Sequence, residues 1–258
     1  MIPMTSPSTM ILWWPRTSDL GIPVPRTVMI AIDPPTDAEV LIYTCTVHHP
    51  ADVDVDDPEC RSMISGYDER IAAAGEEIGF PLFVRTDQVS GKHGWNDTCY
   101  VPDAAVLRRR LGSVIEEHGT ALWMEGPEGA VSALALREFL DLDAPFRAFN
   151  GMPVARERRY FVSDGEVVCH HPYWEDADNI EKGLAYRAAD APANWRELHA
   201  ELNREPDDEV VLLSDYARRV SAAIEGAWSV DFAYARDGTW YLIDMAQADR
   251  SWHPEHGA

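Results

Sequence analysis

Two aspartates in the last thirty residues have the spacing that speaks most directly of chemistry. The run Val230-Asp231-Phe-Ala-Tyr-Ala-Arg-Asp237-Gly238-Thr-Trp-Tyr-Leu-Ile-Asp244-Met245 places Asp-Gly between two β-prone stretches. This is a hairpin signal, because a two-residue turn needs positive φ at both central positions. With Asp237-Gly238 as the turn, Asp231 falls opposite Asp244, on a face shared with Ala233 and Leu242. Like charges across a ladder destabilise it, so two carboxylates in an apolar hairpin call for a cation or a shared proton. A hard divalent ion such as Mg²⁺ is the simplest resolution; the alternative is a solvent-facing edge where the repulsion is screened. A second Asp-Gly, Asp164-Gly165, lies between Arg158-Arg-Tyr-Phe-Val-Ser163 and Glu166-Val-Val-Cys-His-His171. Its two-residue turn predicts Tyr160 opposite Cys169 and Arg159 opposite His170, with Arg159, Phe161, Val168 and His170 on one face. His170 and His171 read as structural histidines.

Cations that could meet a phosphate are few. The chain has 258 residues, 44 acidic against 22 basic, for a formal net charge of −22. Only Lys92 and Lys182 among the basic residues are lysines. Such a surface excludes general binding to nucleic acid or anionic membranes, and any phosphate ligand needs a locally basic pocket. Lys92 sits in the loop Ser90-Gly91-Lys92-His93-Gly94-Trp95, just after the strand Pro81–Arg85. Arg85 reads as a phosphate contact or a surface ion pair, and Lys92 as part of a flexible flap or of an exposed polar loop.

The elements that must position these residues are legible in outline. Apolar runs at Met10–Trp14, Val28–Ile32 and Val40–Thr46 alternate with Pro-rich connectors and read as strands. Helical spacing covers Ser62–Ile78 and Asp103–His118, the latter capped by Asp103. Ala121–Glu125 and Leu134–Leu142 read as strands, and a helix is expected at about Leu212–Glu225. The acidic stretch Asp52–Glu59 lacks the glycine and closing glutamate of a calcium loop and reads as solvated. Cys45, Cys60, Cys99 and Cys169 are scattered, which argues for buried free thiols rather than a disulfide framework or a zinc site. No signal-peptide pattern and no run of eighteen apolar residues occurs, so a cytoplasmic protein without membrane contact is expected.

Taken in order, these pieces resemble the ATP-grasp superfamily over about residues 80–250. Leu82-Phe-Val-Arg-Thr-Asp-Gln-Val-Ser-Gly-Lys-His93 is similar to a divergent phage and bacterial clade with arginine in place of the usual strand lysine and a lysine in the following loop. The resemblance implies an α+β ATP-grasp fold, two α+β lobes with nucleotide bound between them, preceded by a small α/β N-terminal region. The domains expected are 1–78 and 79–258, with a small lobe at about 79–136 and a large lobe at about 137–250. It implies that Arg85 contacts the α/β-phosphates, that Lys92 closes over them, and that backbone N–H groups of Ser90 and Gly91 add anion contacts. Arg137-Glu138-Phe139-Leu140 matches the hinge strand, with Phe139 and Leu140 backbone at the adenine edge and Glu138 accepting from its amine. An amphipathic core strand describes the same residues equally well. Asp141 or Asp143 would hold the ribose.

Glu157-Arg-Arg159-Tyr-Phe-Val162 matches E-x-R-x-F-V, aiming Arg159 at the transferring phosphoryl group. Asp231 and Asp244 match the metal ligands of the closing hairpin. The family usually continues Glu-x-Asn, whereas here Ala246 stands at the Asn position, with Gln247 or Asp249 as substitutes. The implied activity is an ATP- and Mg²⁺-dependent ligase joining a carboxylate to an amine or thiol through an acyl-phosphate, with Arg159 and Lys92 as catalytic groups. Its partner would be a small-molecule or peptide substrate carrying a carboxylate. Rival implications are a non-catalytic ATP-binding assembly factor of the same fold, or a phosphotransferase to another acceptor.

Overall fold

A computed structural model describes residues 8–32, 54, 56–187 and 189–253, except 126–130. The expected strand Val40–Thr46 lies outside the described residues, as does the start of the acidic stretch. What is described of that stretch ends as a helix cap. Asp57 Oδ1 accepts from the Glu59 N–H at 3.0 Å, and Pro58 opens the helix at the position where its missing N–H costs nothing.

The described residues divide into two compact units, the first within Arg26–Phe139 and the second within Pro7–Pro25 and Leu140–Ala258. The strand and helix of the expected N-terminal region therefore belong to the first unit. Its sheet runs β1 (Thr27–Ala31), β4 (Ala133–Glu138), β2 (Leu82–Thr86), β3 (Tyr100–Val101), with antiparallel neighbours throughout. Helices α2 (Pro58–Ile78) and α3 (Ala104–Glu125) pack against this sheet. The core joins Leu82, Val84, Leu134 and Leu136 of the strands to Ile71, Ile78, Leu111, Val114 and Ile115 of the helices. Strand alternation then sends Phe83, Arg85, Ala135 and Arg137 to the opposite face.

Asp103 caps α3 as expected, accepting from the Ala105 N–H at 2.9 Å. The strand expected at Ala121–Glu125 is instead the last turn of α3. Ala, Leu, Met and Glu are strong helix formers, and nothing breaks the run before Gly126-Pro127. Met10–Trp14 is likewise helical rather than extended. Helix α1 (Met10–Thr17) buries Met10, Trp13 and Thr17, and its turns are tied by Thr17 Oγ1 donating to the Trp13 carbonyl at 3.0 Å.

The second unit is built on an antiparallel sheet ordered β10 (Trp240–Gln247), β9 (Trp228–Tyr234), β7 (Glu157–Ser163), β8 (Glu166–Pro172). A short hairpin, β5 (Phe146–Ala148) with β6 (Met152–Val154), precedes it. Helices α4 (Ala177–Leu184) and α5 (Trp195–Leu202) follow β8. Helix α6 (Asp207–Ala223) lies on one face of the sheet and buries Leu213, Ala217 and Val220. It starts five residues earlier than the apolar spacing suggested. Asp207, Asp208 and Glu209 fill its first turn, where carboxylates oppose the positive end of the helix dipole.

Both hairpins form, with registers that turn chemistry alone does not give. Asp164 and Gly165 have φ of 53° and 84°, the left-handed pair a two-residue turn requires. A bulge then shifts the ladder, so Phe161 faces Cys169, Tyr160 faces His170 and Arg159 faces His171. In the other hairpin the Ala235 N–H donates to the Thr239 carbonyl at 2.9 Å. The loop is therefore Arg236-Asp237-Gly238, with Gly238 at φ 86°, three residues rather than two. That places Leu242 opposite Phe232, one residue off the expected pairing. A bulge between Leu242 and Asp244 takes up the difference, and Asp244 faces Asp231.

Candidate functional site

The face of the second sheet away from α6 carries one row of polar residues. Cross-strand partners run from Asp244 on β10 to Asp231 on β9, to Arg159 on β7, to His171 on β8. Arg159 grips Asp231 with its guanidinium fork, Nε to Oδ1 at 2.8 Å and Nη2 to Oδ2 at 2.7 Å. Its Nη1 reaches the Trp252 carbonyl at 3.4 Å, and the Tyr173 ring lies 4.7 Å from its central carbon. The paired side chains are only 12% and 7% exposed. Burial weighs against the Arg159 charge, but the Asp231 carboxylate, its hydrogen bonds and the Asp244 charge outweigh it and hold the pKa above the ordinary arginine value. The cation is thus fixed in place by the same carboxylate that the hairpin offers to a metal.

Asp231 and Asp244 fit a hard divalent ion by donor chemistry. Among the described residues no group of three or more His, Cys, Asp or Glu is placed to hold a metal. Mg²⁺ does not require one, since it is commonly held by one or two carboxylates and completed by phosphate oxygens and water. Asp244 is partly buried, and its Oδ1 accepts from the Met245 N–H at 2.9 Å. Ala246, at the position where the family carries Asn, faces Ser229 across the ladder, so the apolar methyl contributes no third ligand there.

The bulge at Val168, itself 68% exposed, corrects the expected face of the first hairpin. His171, not His170, stands opposite Arg159. Val168 and His170 leave that face, while Cys169 and His171 join Arg159 and Phe161 on it. His170 stacks on Tyr160 with centroids 4.8 Å apart, and its Nδ1 meets Glu205 Oε1 at 3.0 Å. His171 is 5% exposed, with Nδ1 2.8 Å from the Pro172 carbonyl. Burial lowers its pKa, the Arg159 and His253 charges adding to the effect against the Pro172 carbonyl and Glu175. Sequence reasoning carried no signal for this exchange of neighbouring histidines.

In the first unit, Arg85 is 3% exposed and its Nε donates to the Thr86 carbonyl at 3.1 Å. It is therefore a buried cation rather than a surface ion pair. Arg137, also 3% exposed, shares its side of the sheet through the pairings Arg85↔Ala135 and Phe83↔Arg137. This second cation is one that motif reading passed over. The Ser90–Trp95 segment is more structured than a polar loop. Lys92–Asp97 forms a short 3-10 helix entered through Gly91 at φ 61°. A Cβ on Gly91 would sit 2.9 Å from Glu117 Oε2, so both conformation and space demand glycine there. Trp95 is buried and stacks on Tyr100 at 6.2 Å, with Phe83 and Phe139 also in contact. The aromatic anchor fixes one end of the segment that carries Lys92.

The hinge residues are distributed as follows. Glu138 Oε2 accepts from the Arg26 backbone N–H at 3.1 Å and from its Nε at 3.2 Å, so the carboxylate expected at the adenine amine is held by an arginine. Phe139 closes the first unit and Leu140 opens the second. Asp141 pairs with Arg236 Nε at 3.4 Å and is mostly exposed. The Asp143 N–H donates to the Tyr234 carbonyl at 2.9 Å, and its carbonyl accepts from the Arg156 N–H.

Comparison with known proteins bears on the fold. A family profile for an ATP-grasp domain, the third family of its clade, matches residues 73–258. No curated protein matches the chain. Among solved structures, C-terminally truncated Cdc123 from Schizosaccharomyces pombe aligns with TM-score 0.53 and 17% identity, over 93% of this chain and 83% of that one. A second structure of Cdc123 from Schizosaccharomyces pombe gives 0.52 and 16% over the same shares. A RimK domain protein ATP-grasp from Sphaerobacter thermophilus is 12% identical, with TM-score 0.45, over 93% of this chain and 58% of that one. At these identities the likeness is one of fold alone. No helix among the described residues is long and apolar enough to cross a membrane. With the profile matching from residue 73 through 258, the chain belongs to that ATP-grasp domain family, and its fold is the ATP-grasp fold.

Proposed function

We propose that the chain is an ATP-dependent ligase that activates a carboxylate as an acyl-phosphate and passes it to an amine. The observation that carries this reading is the row Asp244–Asp231–Arg159, two facing carboxylates beside a buried arginine on one sheet. Asp231 and Asp244 would hold Mg²⁺, which when bound supplies charge neutralisation at the phosphates. Arg159 would lie against the transferring phosphoryl group, where a planar fork can follow charge from two oxygens at once. Lys92 and the buried Arg85 are the further cations proposed to neutralise phosphate charge, with Ser90 and Gly91 N–H groups beside Lys92. Glu138, Phe139, Leu140 and Asp141 are proposed for the adenosine end, with the Arg26–Glu138 pair positioning the strand there.

In this reaction a substrate carboxylate oxygen bonds to the γ-phosphorus and ADP leaves. The amine nitrogen then bonds to the acyl carbon, phosphate leaves, and the amine's proton goes to solvent or base. The family relationship and the absence of any need for a protein nucleophile support the reading. The substrate is proposed to be a small molecule or peptide with a free carboxylate, and the compartment the cytoplasm.

A second reading, ATP binding without ligation, draws support from Ala246, which leaves the metal one ligand short of the family pattern. Incubating the protein with Mg-ATP and pooled carboxylates and amines separates the two. ADP and phosphate release that depends on an added acceptor is expected of the ligase. Nucleotide binding by calorimetry with no turnover under any acceptor would overturn it in favour of the second reading.

A further inference from the structure

The second unit carries its own cover for the polar row. After β10, a 3-10 turn at Ala248–Arg250 sends residues 251–253 across the face that holds Arg159 and Cys169. Each of the three residues makes a contact of a different kind. Ser251 Oγ lies 2.6 Å from Ser229 Oγ, on the strand position next to Asp231 on the same face. The Trp252 carbonyl accepts from Arg159 Nη1 at 3.4 Å. His253 Nε2 meets Cys169 Sγ at 3.2 Å. Rings complete the cover, Trp252 standing edge-on to His171 at 5.4 Å and His253 edge-on to Phe161 at 5.0 Å.

The consequence concerns Arg159. Nε and Nη2 donate to Asp231 and Nη1 to a main-chain carbonyl, so every nitrogen of the guanidinium is already engaged within the chain. Asp231 likewise has both oxygens occupied by the arginine. A phosphate oxygen approaching Arg159 must compete with a peptide carbonyl, and a cation approaching Asp231 must compete with a guanidinium. A ligand that binds better once such contacts are released shifts the population toward the released form.

We infer that residues 251–253 are a strap that holds the Arg159–Asp231 pair closed and lifts from the row when metal and nucleotide bind. The inference rests on the reading that Asp231, Asp244 and Arg159 serve Mg-ATP. The strap is short, joined to the rest by one hydroxyl pair, one carbonyl and one thiol–imidazole contact, and Trp252 remains 47% exposed. Lifting it costs few contacts, as a switch requires. It also gives the protein an intrinsic reporter, since Cys169 is partly exposed and covered by His253.

The test follows the alkylation rate of Cys169 by peptide mass spectrometry in the full chain. S251A/W252A, which keeps His253 and so keeps the thiol's partner, is expected to raise the rate at least about fivefold without any ligand. Mg-ATP added to the unaltered protein is expected to raise it similarly, and S251A/W252A is expected to bind Mg-ATP several-fold more tightly. If Mg-ATP binds by calorimetry but slows alkylation or leaves it unchanged, the strap is overturned while the nucleotide reading stands. If calorimetry detects no Mg-ATP binding to either protein, the nucleotide reading falls and the strap's release falls with it. Should S251A/W252A fail to fold, the measurement on the unaltered chain decides alone.

Discussion

Arg158 and Arg159 are neighbours on one strand, each gripped by a carboxylate, yet they face opposite sides of the sheet. Arg158 points toward α6 and is fully buried. Its Nε donates to Glu209 Oε1 at 2.6 Å, its Nη1 to the Glu157 carbonyl at 3.0 Å and its Nη2 to the Arg204 carbonyl at 2.5 Å. Burial pulls its pKa below the ordinary arginine value, against Glu209 and Glu205, whereas Arg159 is held above it. Arg158 is braced by two main-chain carbonyls and a helix, so its pair ties β7 to α6. Arg159 is braced by a strand carboxylate that has a second carboxylate beside it. The same residue pair is therefore a clamp on one face and an exchangeable contact on the other. What differs is whether another cation can usefully take the carboxylate.

Substitutions on either face put this contrast at risk. The largest effect is expected from Glu209→Ala. Removing one partner of a buried ion pair leaves an uncompensated charge and costs about 3–5 kcal/mol, which urea unfolding would read. A loss under about 1 kcal/mol would mean that Arg158 is not braced by Glu209. Next, Asp231→Asn is expected to weaken Mg-ATP binding roughly 100-fold, about 2.7 kcal/mol, and Asp244→Asn roughly tenfold. Unchanged nucleotide affinity in both would remove the metal from this hairpin.

R158L/E209L should set the two faces further apart. Replacing both members of a buried pair with apolar residues is often neutral or stabilising, so stability within about 1.5 kcal/mol and unchanged Mg-ATP affinity are expected. A loss of nucleotide binding in R158L/E209L would show that the two faces are not separable.

The smallest effect is a pH dependence from His171. Its folded pKa lies below the ordinary value of 6.5, so between the two values the unfolded chain binds the proton that the folded chain refuses. Stability is then full above about pH 6.5 and declines as pH falls below it. His171→Asn is expected to flatten that slope between about pH 5 and 7 in urea titrations, and an unchanged slope would assign it to other groups.

How much of this was legible depends on the range of the interaction. Asp103 as a cap, Asp164-Gly165 as a turn and the core face of α3 are local, set by residues within a few positions of one another. The facing of Asp231 and Asp244 was legible too, but for an incomplete reason. The two-residue turn that predicted it is a three-residue loop, and the bulge before Asp244 restores the pairing. Without that bulge Asp231 would lose its partner. In the first hairpin a similar bulge was not cancelled, and the residue opposite Arg159 changed from His170 to His171.

Neighbouring residues alone settled the two hairpins, the capped helix and the types of side chain available for a phosphate and a metal. Each follows from turn stereochemistry, periodicity or side-chain charge, which act within a few positions. The folded chain was needed to fix where the ladders slip, which face each of the paired arginines occupies, and what touches Arg159. Those outcomes turn on strands and segments meeting across long stretches of sequence, as when Arg159 reaches Asp231, 72 residues away, or when residues 251–253 fold back over β7 and β8. A bulge forms where packing on the two faces of a sheet prefers it, and no local pattern carries that preference.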